Sequence, residues 1–241
     1  MKRAGLLDIN ADVGEGVPSD AELMPFLDSC SIACGGHAGS PASIKTTLLL
    51  AKEYGVGAGP HPGYPDPEHF GRRVLSIGRL ALYQSIVDQL TTYTKISDAL
   101  GVEVHHVKFH GALYHEANQN EEMALLLWEC LNQCLTPTKI YLPPNSAMRA
   151  NIQAGWEVWT EAFLDRNYLA DLSLVPRSGP EASIKTVAQL LERYEHLQVE
   201  RAVCTLDGQM LGLEAQTACL HGDGPMAVAF ARAIHLKRTR A

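Results

Sequence analysis

The stretch LLDINADVGEGV, Leu6 to Val17, decides how the rest of the chain is read. An apolar run there carries Asp8, Asn10 and Asp12 at alternating positions. Period two is the signature of a strand, so these three polar side chains project to one side while Leu7, Ile9 and Ala11 project to the other. A lone segment of this kind reads as an edge strand with one wet face. Polar groups recur at other strand ends, however, and that repetition points to a face lining a site.

Short apolar runs alternate with amphipathic stretches along the whole chain, with no linker, low-complexity tract or repeat between them. This is the pattern of successive βα units and parallel strands. Strands are expected at Leu6–Ala11, Ser31–Cys34, Gly55–Ala58, Val104–Phe109, Lys139–Leu142, Glu157–Phe163 and Thr217–Leu220. Helices are expected at Ala42–Tyr54, Arg79–Leu100, Glu121–Leu135, Ser146–Ala154, Thr186–His196 and Pro225–His235. In the longest, Leu80, Tyr83, Val87, Leu90, Tyr93 and Leu100 approximate a core-facing stripe. Val199–Gln216 reads as a hairpin turning at Asp207-Gly208 and decorating the last strand. With 241 residues, 46% of them hydrophobic and 20% charged, the chain is long enough for one α/β barrel domain over residues 1–241.

A formal net charge of −7 with scattered Lys and Arg gives no electrostatic footprint for nucleic acid or an anionic membrane. A small-molecule or protein partner fits better. The start, MKRAGLLDIN, has too short an apolar run for a signal peptide or a membrane span, and a cytoplasmic location is expected. The six cysteines contain no C-x-x-C pair and read as reduced packing residues. Cys34 is kept open as a thiolate nucleophile with His37 as its base.

Barrels of parallel strands carry their functional residues at the C-terminal strand ends, and this sequence is rich there. Strand one ends in Asn10 and Asp12 followed by Gly14-Glu15-Gly16, strand two in CGGHAGS with His37, and strand three in GPHPGYPD with His61 and Asp66. Strand four ends in HVKFHGALYH, strand six in TEAFLDR with Glu161, Asp165 and Arg166, and strand seven in CLHGDG with His221 and Asp223. On strand four His106, Lys108 and His110 share one face. A lysine there is costly to bury unless it meets a carboxylate or a substrate, so Lys108 is assigned to polarise an anion or carbonyl and His110 to acid, base or ligand work. A structural Lys–Asp pair is the competing reading. His37, His61 and His221, with Asp8 or Asp12, supply the nitrogen and oxygen donors of a divalent metal site, or else a metal-free set that grips substrate. Arg72, Arg73 and Arg177 sit in loops, where a guanidinium fork suits a carboxylate or phosphate. Neither a P-loop nor a Rossmann fingerprint occurs.

Taken in order, DINADVGEG, SIACGGHAG, HPGYPDPEHFGRR, HVKFHGALYH, EAFLDRNY, LVPRS and CLHGDGPMAV resemble the LamB/YcsF family, that of the A component of 5-oxoprolinase, over nearly the whole chain. The resemblance implies an irregular seven-stranded (β/α) barrel similar to polysaccharide deacetylase and glycoside hydrolase barrels. It also implies ATP-dependent opening of 5-oxoproline to glutamate with subunits B and C, the nucleotide being bound mainly by those partners. Asp8, Asn10, Asp12, Glu15, His37, His61, Arg73, Lys108, His110, Arg177, His221 and Asp223 match the family pattern. Ser31, Ser40, Pro60, His69, Phe109 and His115 depart from it, and Ser40 and His115 are the two placed to alter a ligand set. The catalytic assignment is Asp12, Lys108, His110, His61 and His221. Asn10, Glu15, His37, Arg73, Arg177 and Asp223 are assigned to substrate, and Asp8, Asp12, His37 and His61 to a metal. A stand-alone metal-dependent deacetylase or amide hydrolase and a non-catalytic ligand-binding protein of a larger complex are the alternatives.

Overall fold

The alternation that opens the sequence becomes the inner and outer face of a barrel stave. In the computed structural model, which describes residues 5–240, the first half of the chain runs β1 (Asp8–Val13), α1 (Asp20–Leu23), β2 (Ser29–Ala33), α2 (Pro41–Tyr54), β3 (Gly57–His61), α3 (Arg79–Leu100), β4 (His106–Val107) and α4 (Gly111–Gln119). It continues as α5 (Glu121–Cys134), β5 (Lys139–Leu142), β6 (Glu157–Phe163), α6 (Val187–Glu195), β7 (Ala202–Cys204), β8 (Met210–Gly212), β9 (Thr217–Cys219) and α7 (Ala227–Arg240).

Seven strands form one sheet in the order β3-β2-β1-β9-β6-β5-β4, every neighbour parallel. The two ends of that order then meet. His105 N–H donates to Ala58 O at 2.9 Å, Lys108 N–H to Pro60 O at 3.3 Å and His110 N–H to Pro62 O at 2.9 Å, which closes the barrel. The approach at this seam leaves no room for a side chain on β3: a Cβ on Gly59 would stand 2.1 Å from His106 O. Closure explains β1, whose six residues are all buried. Ile9, Ala11 and Val13 pack in the core under the helices, and Asp8, Asn10 and Asp12 are buried on the other face. The edge-strand reading of that segment therefore gives way to a barrel interior.

All seven expected barrel strands form, and the expected hairpin is the separate antiparallel ribbon β7–β8. Five elements differ from expectation, the first being the short helix α1, which no expected helix covers. The helix α4 occupies what reads as an exit loop; it starts directly after His110, with no side-chain cap to signal it. The buried stripe of α3 is Leu82, Ile86, Leu90 and Tyr93, while Leu80 is 79% exposed. The segment expected as a helix at Ser146–Ala154 is a short 3₁₀ turn at Ala147–Asn151, and α7 runs on past His235 to Arg240. Residues 1–4 and 241, which the expected domain and the basic start of the chain include, lie outside the described residues. Among the described residues no helix is long and apolar enough to cross a membrane.

Candidate active site

The inner faces of β1, β4, β6 and β9 converge on one ammonium group. Lys108, just past β4, is 3% exposed, and its Nζ lies 2.9 Å from Asp12 Oδ1, 3.0 Å from Glu161 Oε1 and 3.1 Å from Cys219 Sγ. Beneath it Asn10 Nδ2 donates to Glu161 Oε1 at 3.1 Å and to Thr217 Oγ1 at 2.7 Å. Burial works against the charge on Lys108, but Asp12, Cys219 and Glu161 outweigh it and hold the ammonium well above the usual lysine range. Burial likewise opposes the Asp12 carboxylate, and His61 and Lys108 together hold its pKa well below the ordinary value. Lys108 and Asp12 therefore both stay charged at neutral pH.

Beside this charged group lies a cluster of imidazoles. His61 ends β3, His110 follows β4, and His37 and Glu15 come from the loops after β2 and β1. His61 Nε2 is 2.9 Å from His110 Nδ1 and 3.4 Å from Asp12 Oδ1. Glu15 Oε1 is 3.0 Å from His37 Nε2 and 3.4 Å from His110 Nδ1. The His37 and His110 rings stack with centroids 3.5 Å apart. Burial, reinforced by His61, pushes the His37 pKa down to about 2 and that of His110 well below the usual range. Burial, with the charges of Asp12 and Asp223, raises Glu15 to about 9. Glu15, His37, His61 and His110 bring donor atoms within 4.8 Å of one another, as do Asp12, Cys219 and His221, and either group could hold a metal ion.

The third component is a dyad at the mouth. His221 Nδ1 lies 2.9 Å from Asp165 Oδ1, and the His221 amide bonds the same carboxylate at 3.2 Å. Since the carboxylate accepts, Nδ1 carries the proton and Nε2 is left as the acceptor. One cleft joins these parts: Asp12, His61, Lys108, His110, Arg72, Arg166, Arg177 and His221 all line it. A second chamber, lined by Asn118, Glu161 and Tyr168, shares Tyr114, His115, Phe163 and Leu174 with the first.

Most residues singled out in the sequence thus meet in one place, with instructive exceptions. Asp8 does not reach the histidines. Its Oδ2 accepts from Ser29 Oγ at 2.7 Å and Thr217 Oγ1 at 2.8 Å, because four residues along a strand separate it from Asp12 by roughly 13 Å. Arg73 does not line the cleft, whereas Arg72, exposed like it, lines the cleft and ion-pairs with Asp223. Cys34 is a packing thiol: burial raises its pKa to about 12, and its Sγ donates to Ile32 O and accepts from the His61 amide. His106 stacks on Tyr141 and bonds Ser31 Oγ.

Of the two departures placed to alter a ligand set, Ser40 is the N-cap of α2 and His115 does line the cleft. His69 bonds Asp66, Pro60 lends its carbonyl to the seam and Phe109 is buried in the core. The residues whose importance the sequence understated are Glu161, Asp165 and Cys219. For Glu161 the available signal was parity, since it shares a strand face with Phe163 two residues on.

The model of the LamB/YcsF family matches residues 7–241. The chain belongs to the LamB/YcsF family. A crystal structure described as the lactam utilization protein from Thermus thermophilus is 33% identical, covers 98% of this chain and 97% of its own, and superposes with a TM-score of 0.89. The likeness to this LamB/YcsF relative extends over the whole barrel. A structure of 3-keto-D-glucoside 4-epimerase, YcjR, from E. coli is 12% identical with a TM-score of 0.43, covering 97% of this chain and 99% of its own.

Proposed function

We propose that this chain opens the lactam ring of 5-oxoproline to give glutamate, as the A component of an ATP-dependent 5-oxoprolinase whose subunits B and C bind the nucleotide. The observation that carries this reading is the buried Lys108–Asp12–Glu161 group, whose Lys108 and Asp12 line one cleft with Arg177 and with His221 of the His221–Asp165 dyad. The lactam utilization protein from Thermus thermophilus supports the substrate class.

In this reading Arg177 receives the substrate carboxylate as a charge-assisted pair. Lys108 faces the oxygen of the ring carbonyl and stabilises the negative charge it carries once phosphorylated. Asp12 accepts a proton from water as the water oxygen bonds to the carbonyl carbon. His221, oriented by Asp165, takes the proton of the newly added hydroxyl onto Nε2 and passes it to the ring nitrogen as the carbon–oxygen double bond re-forms and the carbon–nitrogen bond breaks. A five-membered lactam is unstrained and favoured over glutamate near neutral pH. Phosphorylation of the amide oxygen by ATP on the partner subunits supplies the driving force: breaking the carbon–nitrogen bond then leaves an acyl phosphate, and a second water displaces phosphate from it to give glutamate. The chain lacks a P-loop motif, and in this reading the nucleotide is held by subunits B and C.

Glutamate release from 5-oxoproline and ATP, assayed with this protein alone and with subunits B and C, tests the proposal. Activity in the mixture alone is expected; none in a mixture of otherwise competent subunits overturns it. The Glu15–His37–His61–His110 cluster favours a second reading, a stand-alone metal-dependent amide hydrolase, which predicts turnover without ATP that a chelator abolishes.

A further inference from the structure

We propose that His61 Nε2, His110 Nδ1 and Glu15 Oε1 form a binding site for one divalent transition-metal ion of the zinc class, with His37 holding Glu15 in place. The case rests on where the protons must be. His61 Nδ1 lies 2.8 Å from Lys108 O, and His110 Nε2 lies 3.0 Å from Phe70 O. A carbonyl oxygen can only accept, so both of those ring nitrogens carry hydrogen. The remaining nitrogens, His61 Nε2 and His110 Nδ1, are then both lone pairs, and they face each other at 2.9 Å.

Two buried acceptors do not approach this closely without a cation or proton between them. Shifting either ring to its other tautomer moves the conflict to Lys108 O or Phe70 O without removing it. Backbone carbonyls that fix the outer nitrogens of two convergent histidines are the usual support of a metal site.

The spacing fits as well. Tetrahedral zinc with bonds of about 2.0–2.1 Å places its donors about 3.3 Å apart, and the observed His61–His110 and His110–Glu15 separations are 2.9 and 3.4 Å. Two imidazoles and one carboxylate suit zinc and its neighbours better than magnesium or calcium, which prefer oxygen shells. His37 donates through Nε2 to Glu15 Oε1 at 3.0 Å. The opposite tautomer would bury an Nδ1–H with no partner at an atom that has none, so His37 acts as a positioning residue. Phe70 adds a further sign: its φ of 56° is left-handed backbone, unusual and costly for a bulky residue. It aims the carbonyl that pins His110. When bound, such an ion supplies Lewis-acid charge at the cleft floor.

This proposed site differs from the ligand set Asp8, Asp12, His37 and His61 expected from sequence, and it does not depend on the 5-oxoproline reading, because binding is measured without substrate. The full-length chain, stripped with chelator, is titrated with Zn2+ by calorimetry and with Co2+ by visible absorption. One equivalent of Zn2+ and the intense visible bands of a four- or five-coordinate Co2+ ion are expected. His61→Gln, His110→Gln and Glu15→Gln each weaken binding at least 100-fold, His37→Gln weakens it roughly 10- to 100-fold, and His196→Gln leaves it unchanged. Absence of a stoichiometric Zn2+ site in the folded wild-type chain overturns the proposal, whatever the variants do. Undiminished binding in folded His61→Gln and His110→Gln overturns it too.

Discussion

Two clusters share the mouth of one barrel and solve burial in opposite ways. Around Lys108 the charges are real and matched, with an ammonium between two carboxylates and an amide below them. Around His61 and His110 the outer ring nitrogens are committed to backbone carbonyls, and the two inner nitrogens face one another. The first arrangement is complete within the chain itself. The second is complete only with something added, and that contrast separates a group built to meet substrate from one built to hold a cation.

The most severe way to break the first cluster is Lys108→Met. It leaves Asp12 and Glu161 facing each other in the dry interior, a loss of about 3–5 kcal/mol, with ring-opening activity of the reconstituted enzyme falling on the order of a hundredfold or more. Chemical denaturation and glutamate release measure both, and full activity would remove Lys108 from the mechanism. His110→Gln is expected to cost the metal-free protein less, about 1–3 kcal/mol for an unpaired carbonyl. A metal-free loss as large as that of Lys108→Met would erase the contrast.

Smaller than the loss in Lys108→Met is the effect of loading itself. Zn2+ at a hundred times its dissociation constant stabilises the wild-type chain by about 2.7 kcal/mol, seen as a chelator-reversible rise in melting temperature that His110→Gln lacks. Asp165→Asn separates the dyad from both clusters: activity falls roughly 10- to 100-fold as His221 loses its orienting acceptor, while Zn2+ binding stays at the wild-type level. The mildest change is Ser40→Ala, which removes the cap of α2 at a cost of about 1 kcal/mol and leaves metal binding and turnover as they were.

The barrel is legible in the sequence because period-two alternation survives burial: β5 and β6 fall where the pattern puts them, and β1 is displaced by two residues. Helix α4 is not legible, since nothing at His110 caps it and its first residue follows the strand exit directly. Parity puts Asp8 and Asp12 on one face but carries no information about depth along the strand, so it groups Asp8 with histidines that Asp8 does not reach. Lys108 and its partner Glu161 lie 53 positions apart in sequence; only the closed sheet brings the two together. Arg72 and Arg73, adjacent in one loop and both exposed, look alike in sequence, and only the fold shows that the first of them lines the cleft.

The joint that closes the barrel has a mechanical meaning. Ala58, Pro60 and Pro62 offer carbonyls across it, and His105, Lys108 and His110 supply the amides. The prolines have no N–H to return. His61 stands on one lip of that joint and His110 on the other. An ion gripped by both would therefore work as a clasp on the last stave to be fastened. Amide exchange at His105, Lys108 and His110 would slow when the clasp is shut, so the same few atoms that prepare the chemistry would also set how readily the barrel breathes.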